Sequence, residues 1–381
     1  MRDLIYIPLD RLALYDPYLR DESYEYNGWF NTMGIDHFPP MIQSRVNKLN
    51  TPWDLAPTLC PIPDITNNEL RFDVVIETVA EAFCQRIKQT GRKPYFCWSG
   101  GIDSTSILVS MLKVADEDVL DRITVLCDPV LSVGENAYFY YNFIKPRLQV
   151  EDITDFVIDA GNYNKILVVD GEAGNQCMGS TPIHKLAYKK QFDLLNSPWS
   201  QVDPRDMIAR QTSTSIFETT LNGLYFTVDL VKETIKHSPI PIETVYDFLW
   251  WINFNLKLDD VLLRKILNYA KNLDQAQFKD FYENTLYRFY AADELQIWSM
   301  LTKDLRRERT VEDPKYFPKK YIFDFDGNDL YWSNKREEKS MSRLYSDAQA
   351  DIFAIDKDWR RYSLEDTPTR QELGRILKRT T

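Results

Sequence analysis

Short apolar runs alternate with amphipathic segments in the first half of the chain. The apolar stripe along residues 72–88, followed by Gly91, predicts a helix that ends at that glycine. Helical patterns also follow the first two apolar runs. Strands that alternate with helices predict an α/β fold with a parallel, doubly wound sheet joined by right-handed crossovers. The four runs that predict its strands are residues 95–98, 123–127, 153–158 and 166–169.

The rest of the chain carries fewer strand signals. The exception is Tyr321–Trp332, where aromatic residues alternate on both sides of Asp326-Gly327 and predict a hairpin or extended loop. The charged tail after Ser340 predicts one or two surface helices with partial disorder. We predict four segments: an irregular arm rich in Tyr, Pro and Asp (1–70), an α/β core (71–181), a large helical region (182–345) and a charged tail (346–381).

The stretch Tyr95–Thr105 joins the first predicted strand to a helix through the sequence Ser99-Gly100-Gly101-Ile102-Asp103-Ser104. The two glycines allow a tight turn. At the helix N-terminus, backbone N–H groups and the positive end of the helix dipole converge on one point and favour an anion. The loop lacks the Gly-x-x-x-x-Gly-Lys spacing of a Walker loop. The sequence therefore predicts a phosphate site of another kind.

Composition and charge narrow the class of protein. The chain of 381 residues is 44% apolar and 27% charged, which is typical of a globular protein. Its net charge of −11 argues against a nucleic-acid-binding face. It has no run of about 18 apolar residues and no signal peptide at Met1, so we expect a cytoplasmic protein without a membrane segment. The five cysteines form no Cys-x-x-Cys pair, which gives no indication of zinc or of a disulfide framework.

Two motifs resemble those of a known enzyme family. Ser-Gly-Gly-x-Asp-Ser at residues 99–104 resembles the PP-loop of the ATP pyrophosphatases, which adenylate a substrate and release pyrophosphate. Asp170–Gly179 follows the fourth predicted strand and looks like the Ser-Gly-Glu-Gly-x-Asp-Glu-x-x-Gly-Gly motif of asparagine synthetases. Both motifs follow strands, where the ligands of doubly wound sheets bind. Over about residues 70–345 the chain is similar to the synthetase domain shared by asparagine synthetase and β-lactam synthetase.

The resemblance implies a PP-loop ATP pyrophosphatase fold, of the adenine nucleotide α-hydrolase-like type, that uses ATP and Mg²⁺. It assigns Asp103 to the metal. The family's second metal carboxylate falls on Asn175, and an amide weakens a site for a hard cation. Either Mg²⁺ relies on Asp103, water and phosphates, or Glu172 or Asp170 takes over, or catalysis is impaired. The residues implied for nucleotide binding are Ser99, Gly100, Gly101, Asp103, Ser104, Thr105, Cys127 and Gly171.

The family also has a late lysine that stabilises charge while an amine attacks the adenylate. Tyr331–Lys335 occupies the corresponding place, and Lys319 and Lys320 loosely match the element before it. An ammonium group near the phosphates would stabilise the anionic transition state and the leaving group. The resemblance thus implies catalytic roles for Asp103, Glu172 and Lys335. The alternative for Lys335 is an ordinary solvated charge.

The implied function is an ATP-dependent carbon–nitrogen ligase that adenylates a small-molecule carboxylate for attack by an amine. Glutamine-dependent members begin their glutaminase domain with Cys at position 2, but here that residue is Arg2, and the segment before Ser99 is too short for the domain. We therefore expect the nitrogen to come from an amine on the substrate, from free ammonia, or from a separate donor protein. A homo-oligomer is compatible with the sequence.

Two alternatives stay open. The first is a PP-loop enzyme that modifies a nucleobase or tRNA, for which an exposed Cys177 would favour sulfur transfer. The second is a catalytically degenerate protein that binds an adenine nucleotide, with Asn175 marking a lost metal site.

Overall fold

The computed structural model describes residues 4–6, 44–47, 58–66, 70–203, 229–259, 261–263, 270, 272–335 and 352–363. Most of the predicted arm and most of the predicted tail lie outside these residues. The chain divides into two compact units. One is formed by Met1–Ile62, Gly179–Leu263 and Ala350–Thr381, and the other by Pro63–Met178 and Arg264–Gln349. The predicted division into four contiguous segments stays a prediction.

The unit formed by Pro63–Met178 and Arg264–Gln349 contains a five-stranded sheet in which all neighbouring strands are parallel. The strands are β1 (Lys93–Cys97), β2 (Thr124–Cys127), β3 (Gln149–Asp152), β4 (Ile166–Val169) and β5 (Leu286–Tyr287). Their order is β3-β2-β1-β4-β5, so the chain runs outward from β1 to β3 and then returns to the other side of β1. The predicted α/β fold with a parallel sheet is confirmed, and this strand order is that of a doubly wound sheet.

Helices surround the sheet. They are α1 (Phe72–Thr90), α2 (Ile102–Val114), α3 (Glu117–Leu120), α4 (Leu131–Glu135), α5 (Ala137–Phe139), α6 (Gly174–Met178), α7 (Gln275–Asp280), α8 (Asp293–Leu301), α9 (Lys303–Arg309), α10 (Tyr316–Asp326) and α11 (Asp329–Asn334), with π-helical turns at Tyr140–Ile144 and Phe281–Thr285 and a 3₁₀ turn at Phe289–Ala291. Helix α2 packs against α1 and α10, and α8 packs against α1. The predicted first helix is confirmed, and Gly91 ends it in the left-handed conformation.

The third strand lies earlier than predicted. The structure places β3 at Gln149–Asp152, whereas residues 153–158 form turns and coil. Strand β3 is at the edge of the sheet and its residues are exposed or half-buried, so its sequence is polar and gives no apolar run. Of the apolar residues after it, Ile153 and Ile158 are in the core and the half-buried Phe156 packs on the ring of Tyr95, whereas Val157 is exposed. The apolar residues of this run thus indicate a segment that packs partly into the core, and not a strand.

The predicted hairpin at Tyr321–Trp332 is wrong, because this stretch forms the end of α10 and most of α11. Gly327 ends α10 in the left-handed conformation, and the Asn328 side chain accepts a hydrogen bond from the Tyr331 N–H at the start of α11. In α10 the buried positions 318, 319, 321, 322 and 326 follow helical spacing, but two of them hold Lys319 and Asp326. The apolar pattern therefore did not reveal the helix.

The other unit is formed by Met1–Ile62, Gly179–Leu263 and Ala350–Thr381. It contains a buried helical stretch, formed by Val245–Trp251 and a π-helical turn at Ile252–Leu256. Among its further helical elements are Thr181–Tyr188, Phe192–Asn196 and Trp199–Gln201. The prediction of tail helices is wrong for the described part of the tail: Ile352–Asp356 and Arg361–Ser363 are antiparallel strands, and Leu4–Tyr6 pairs with the first of them.

Within the part of the chain that the structure describes, no helix combines the length and the apolar character that crossing a membrane would require.

Asp326, the last residue of α10, gives a test of this helix end. One carboxylate oxygen accepts a hydrogen bond from the Asn328 N–H at 2.9 Å, and burial raises the pKa of the carboxyl. Because the pKa is raised on folding, the native state loses stability as the pH rises from the unfolded-state pKa through the folded-state pKa. We expect Asp326→Asn, which keeps the acceptor, to be more stable than the wild type in urea at pH 7.

The stability advantage of Asp326→Asn should shrink as the pH is lowered from 7 towards the unfolded-state pKa of the carboxyl. The exposed neighbour Asp324 serves as the control, since Asp324→Asn removes a charge from the same helix and should change stability by less than about 0.5 kcal/mol. Equal unfolding midpoints for Asp326→Asn and the wild type at pH 7 would show that ionisation of this buried carboxyl does not lower the free energy of unfolding.

Candidate functional site

The two sequence motifs meet at one edge of the sheet. Strands β1 and β4 are parallel neighbours, with Tyr95 opposite Val168 and Phe96 opposite Val169. The Ser99–Ser104 loop follows β1 and the Asp170–Glu172 loop follows β4, so both lie at the carboxyl ends of adjacent strands. The strand order reverses between these two strands, and this is where doubly wound sheets bind ligands. The expectation that both motifs can face one ligand is consistent with this topology.

Hydrogen bonds between its serines hold the Ser99–Ser104 loop. Ser104 Oγ accepts from the Ser99 N–H at 3.2 Å and lies 3.1 Å from Ser99 Oγ, which in turn accepts from the Gly101 N–H at 3.2 Å. Gly101 is the N-cap of α2 and has no side chain to cap the helix. The first N–H groups of α2 therefore point out of the helix as donors for an anion.

The loop packs so closely against its surroundings that three glycines leave no room for a side chain. A Cβ atom on Gly100, whose φ is +74°, would lie 2.6 Å from Glu135 Cβ. One on Gly171 would lie 2.8 Å from the Ser104 N atom, and one on Gly174 would lie 2.8 Å from Asp103 Cβ. The contacts at Gly171 and Gly174 bring the loop after β4 directly against the start of α2.

Buried tyrosines fix the start of α2 from two sides. Tyr290, just after β5, has its hydroxyl 2.6 Å from Ser106 Oγ and donates to the Asp103 carbonyl oxygen at 3.3 Å. Tyr331 of α11 donates to the Gly100 carbonyl oxygen at 3.1 Å. Burial raises the pKa of both phenols, so both stay protonated donors at neutral pH.

Asp103, the predicted metal ligand, forms a partly buried ion pair with a residue that the sequence analysis missed. Lys315 lies just before α10 and places its ammonium nitrogen 2.6 Å from Asp103 Oδ2. The Lys315 side chain is only 6% exposed. Nothing in the local sequence separates this lysine from surface lysines, although it precedes Lys319, which was considered, by one helical turn.

Two further buried ion pairs lie beside this one in the fold. Lys319 Nζ lies 2.6 Å from Asp313 Oδ2 and donates to the Lys335 carbonyl oxygen at 3.2 Å. The predicted catalytic Lys335 pairs with Glu135, whose Cβ lies against Gly100. Lys335 is therefore a buried, paired charge next to the Ser99–Ser104 loop, and not the solvated charge of the alternative interpretation.

The remaining predicted residues take different positions. Glu172 is half-buried, and its N–H donates to Asp170 Oδ1 at 3.1 Å. Asn175 lies in α6, directly after the glycine that packs on Asp103. Thr105 and Cys127 are buried: the Thr105 hydroxyl accepts from the Trp98 indole at 3.0 Å, and burial raises the pKa of the Cys127 thiol to about 11.

Metal binding at Asp103 stays a prediction. Among the described residues, no group of three or more His, Cys, Asp or Glu side chains is arranged to hold a metal ion. Mg²⁺ in nucleotide sites is usually bound by one or two carboxylates together with phosphates and water. Asp103 supplies one such carboxylate, but its Oδ2 atom is paired with the ammonium group of Lys315, so a metal ion at this position would compete with that lysine.

The chain was also compared with known proteins. Neither the family models nor the curated proteins contain a match to it.

The close packing of Gly174 against Asp103 can be tested by substitution. We expect Gly174→Ala to displace the Asp103 side chain and to destabilise the fold by about 1–3 kcal/mol, as overpacking usually does. Urea denaturation followed by tryptophan fluorescence measures this loss.

The matched control is Gly134→Ala in α4, where a Cβ atom meets nothing within 4 Å. This variant should unfold within about 0.5 kcal/mol of the wild type. A Gly174→Ala variant as stable as Gly134→Ala would mean that the two loops are not in contact.

Proposed function

We propose that this chain is an ATP-dependent, AMP-forming amide ligase that adenylates a small-molecule carboxylate for attack by an amine. The observation that carries the proposal is the meeting of the Ser99–Ser104 and Asp170–Glu172 loops at the point where the strand order reverses. Two buried lysines, Lys315 and Lys335, border the first of these loops through their partners Asp103 and Glu135. The backbone N–H groups at the loops and the two lysines together would bind a polyphosphate and stabilise the negative charge that develops on it.

In this proposal each group has a physical role. The backbone N–H groups at the start of α2 would hold phosphate oxygens, and Asp103 would hold Mg²⁺. ATP would supply the adenylyl group. Lys315 and Lys335 would neutralise negative charge during adenylation and on the leaving AMP, since preorganised charges in a shielded site stabilise developing charge strongly. Glu172, in the loop after β4, would face the same ligand.

The structure gives no support to the sulfur-transfer alternative. That alternative needs an exposed Cys177, but the thiol is fully buried in α6 and lies 3.0 Å from the Tyr290 carbonyl oxygen. The degenerate alternative predicts that ATP binds without turnover. Product analysis distinguishes it from the ligase: with Mg²⁺ and mixed carboxylates and amines, the ligase forms AMP and pyrophosphate, whereas a degenerate protein leaves ATP intact. Release of ADP would contradict the proposal.

The role of Lys315 gives a quantitative test. A hydrogen bond between charged groups contributes about 1.5–3 kcal/mol, so Lys315→Met should weaken Mg²⁺·ATP binding about 10-fold or more in calorimetry. Because this change leaves Asp103 without its partner, the double variant Asp103→Asn with Lys315→Met should be measured as well, and it should show the same or a greater loss.

Lys320→Met is the control for Lys315→Met. Lys320 lies on α10 close by, but its side chain is 43% exposed and pairs with Asp324 at the surface. Its removal should leave the affinity for Mg²⁺·ATP within about twofold of the wild type, because exposed ion pairs contribute little. If Lys315→Met and Lys320→Met bind Mg²⁺·ATP with equal affinity, Lys315 does not contribute to nucleotide binding.

A further inference from the structure

A cavity of about 650 Å³ opens beside the Ser99–Ser104 loop. Its walls come from residues 130–138 and 328–335, so it belongs wholly to the unit that contains the parallel sheet. This volume is in the range of pockets that hold small molecules. The motifs at residues 99–104 and 170–179 contribute no residue to its walls.

An ion pair lies on the wall of this cavity. Glu135 and Lys335 are the charged residues among those that line it, and their side chains are 13% and 8% exposed. A carboxylate so shielded from water is costly to leave without a counter-ion. Glu135 also borders the Ser99–Ser104 loop, since its Cβ atom lies against Gly100. The carboxylate thus has the loop on one side and the cavity on the other.

Apolar side chains surround the cavity and remain accessible to solvent. Val130 and Leu330 are 76% and 73% exposed, and Leu131 and Tyr138 are 43% and 47% exposed. Exposed apolar residues grouped around a concave site are typical of ligand-binding sites. A ligand that matches both the ion pair on the wall and these apolar side chains has a charged end and an apolar body.

We propose that this cavity binds the amine co-substrate as an ammonium ion, with its charge on Glu135 and an alkyl or aryl body against Val130, Leu131 and Leu330. The inference rests on the proposed function in one respect: the phosphates of the nucleotide draw Lys335 away from Glu135. The Glu135 carboxylate is then the charge that remains on the cavity wall. A cationic ligand neutralises it, whereas an anionic ligand would be repelled.

A variant that removes the resident cation tests the cavity without a nucleotide. Lys335→Ala leaves Glu135 without its partner, so 2-phenylethylammonium should bind this variant at least about 10-fold more tightly than the nucleotide-free wild type. Calorimetry gives the affinity, and a rise in melting temperature checks it. Phenylacetate and 2-phenylethanol, which have the same apolar body, should bind at least 10-fold more weakly than the ammonium ion.

Two further variants separate the charged end from the apolar body. Adding Glu135→Gln to Lys335→Ala should abolish the preference for the ammonium ion, whereas adding Asp329→Asn, which removes an exposed charge outside the cavity, should preserve it. n-Propylammonium should bind Lys335→Ala more weakly than 2-phenylethylammonium does. Leu330→Asn in the same background should reduce this difference, because it removes apolar contact with the larger body.

The last measurement uses the wild type. With saturating α,β-methylene-ATP and Mg²⁺, it should bind 2-phenylethylammonium at least about 10-fold more tightly than without the nucleotide, and Glu135→Gln should abolish this gain. If the nucleotide binds but the gain is absent, the inference is wrong and the proposed function stands. If the nucleotide fails to bind, the proposed function is wrong, and the Lys335→Ala measurements still decide whether Glu135 binds an ammonium ligand. Tighter binding of phenylacetate than of the ammonium ion in either arm would overturn the inference.

Discussion

The parallel pairing of β1 with β4 is the constraint on which the site depends. The two strands are far apart in sequence, and the chain completes β2 and β3 before it returns to the other side of β1. Only this return brings the Ser99–Ser104 loop and the Asp170–Glu172 loop to the same edge. Each loop alone is a common glycine turn. Side by side, they bring backbone N–H groups, a helix N-terminus and a carboxylate to one edge of the sheet.

Close packing converts this topology into a rigid site. Gly171 and Gly174 press the loop after β4 against Ser104 and Asp103, and Gly100 admits Glu135 on the other side. With no side chains at these positions, the backbones approach each other and their positions are determined by contact rather than by long side chains. Buried tyrosine hydroxyls then hold the backbone carbonyls of the same loop. The geometry around Asp103 therefore exists before any ligand binds, which lowers the cost of binding.

The sequence was sufficient to predict the parts that depend on local pattern. Core strands such as β4 are continuous apolar runs, and the loop at 99–104 carries its own glycines. The pattern failed for an exposed edge strand and for a helix that buries charged side chains. The edge strand β3 is polar, and α10 buries Lys319 and Asp326, so neither showed its period. Lys315 was missed for a similar reason. Its side chain forms an ion pair with Asp103 because α10 packs on α2, and the residues next to Lys315 in the sequence do not indicate that packing.

Charge balance in the site gives a physical account of Asn175. Lys315, Lys319 and Lys335 are each matched by one carboxylate, and Asp170 and Glu172 add two more acidic side chains, so under the proposed function a polyphosphate enters a site that is already negative. A second carboxylate at position 175, next to the glycine that packs on Asp103, would add negative charge that a metal ion must offset. Asn175 keeps an oxygen donor without that charge. The lysines then neutralise a larger share of the phosphate charge than they would beside two carboxylates. The proposed reaction should therefore depend less on Mg²⁺ than it would with an aspartate at that position.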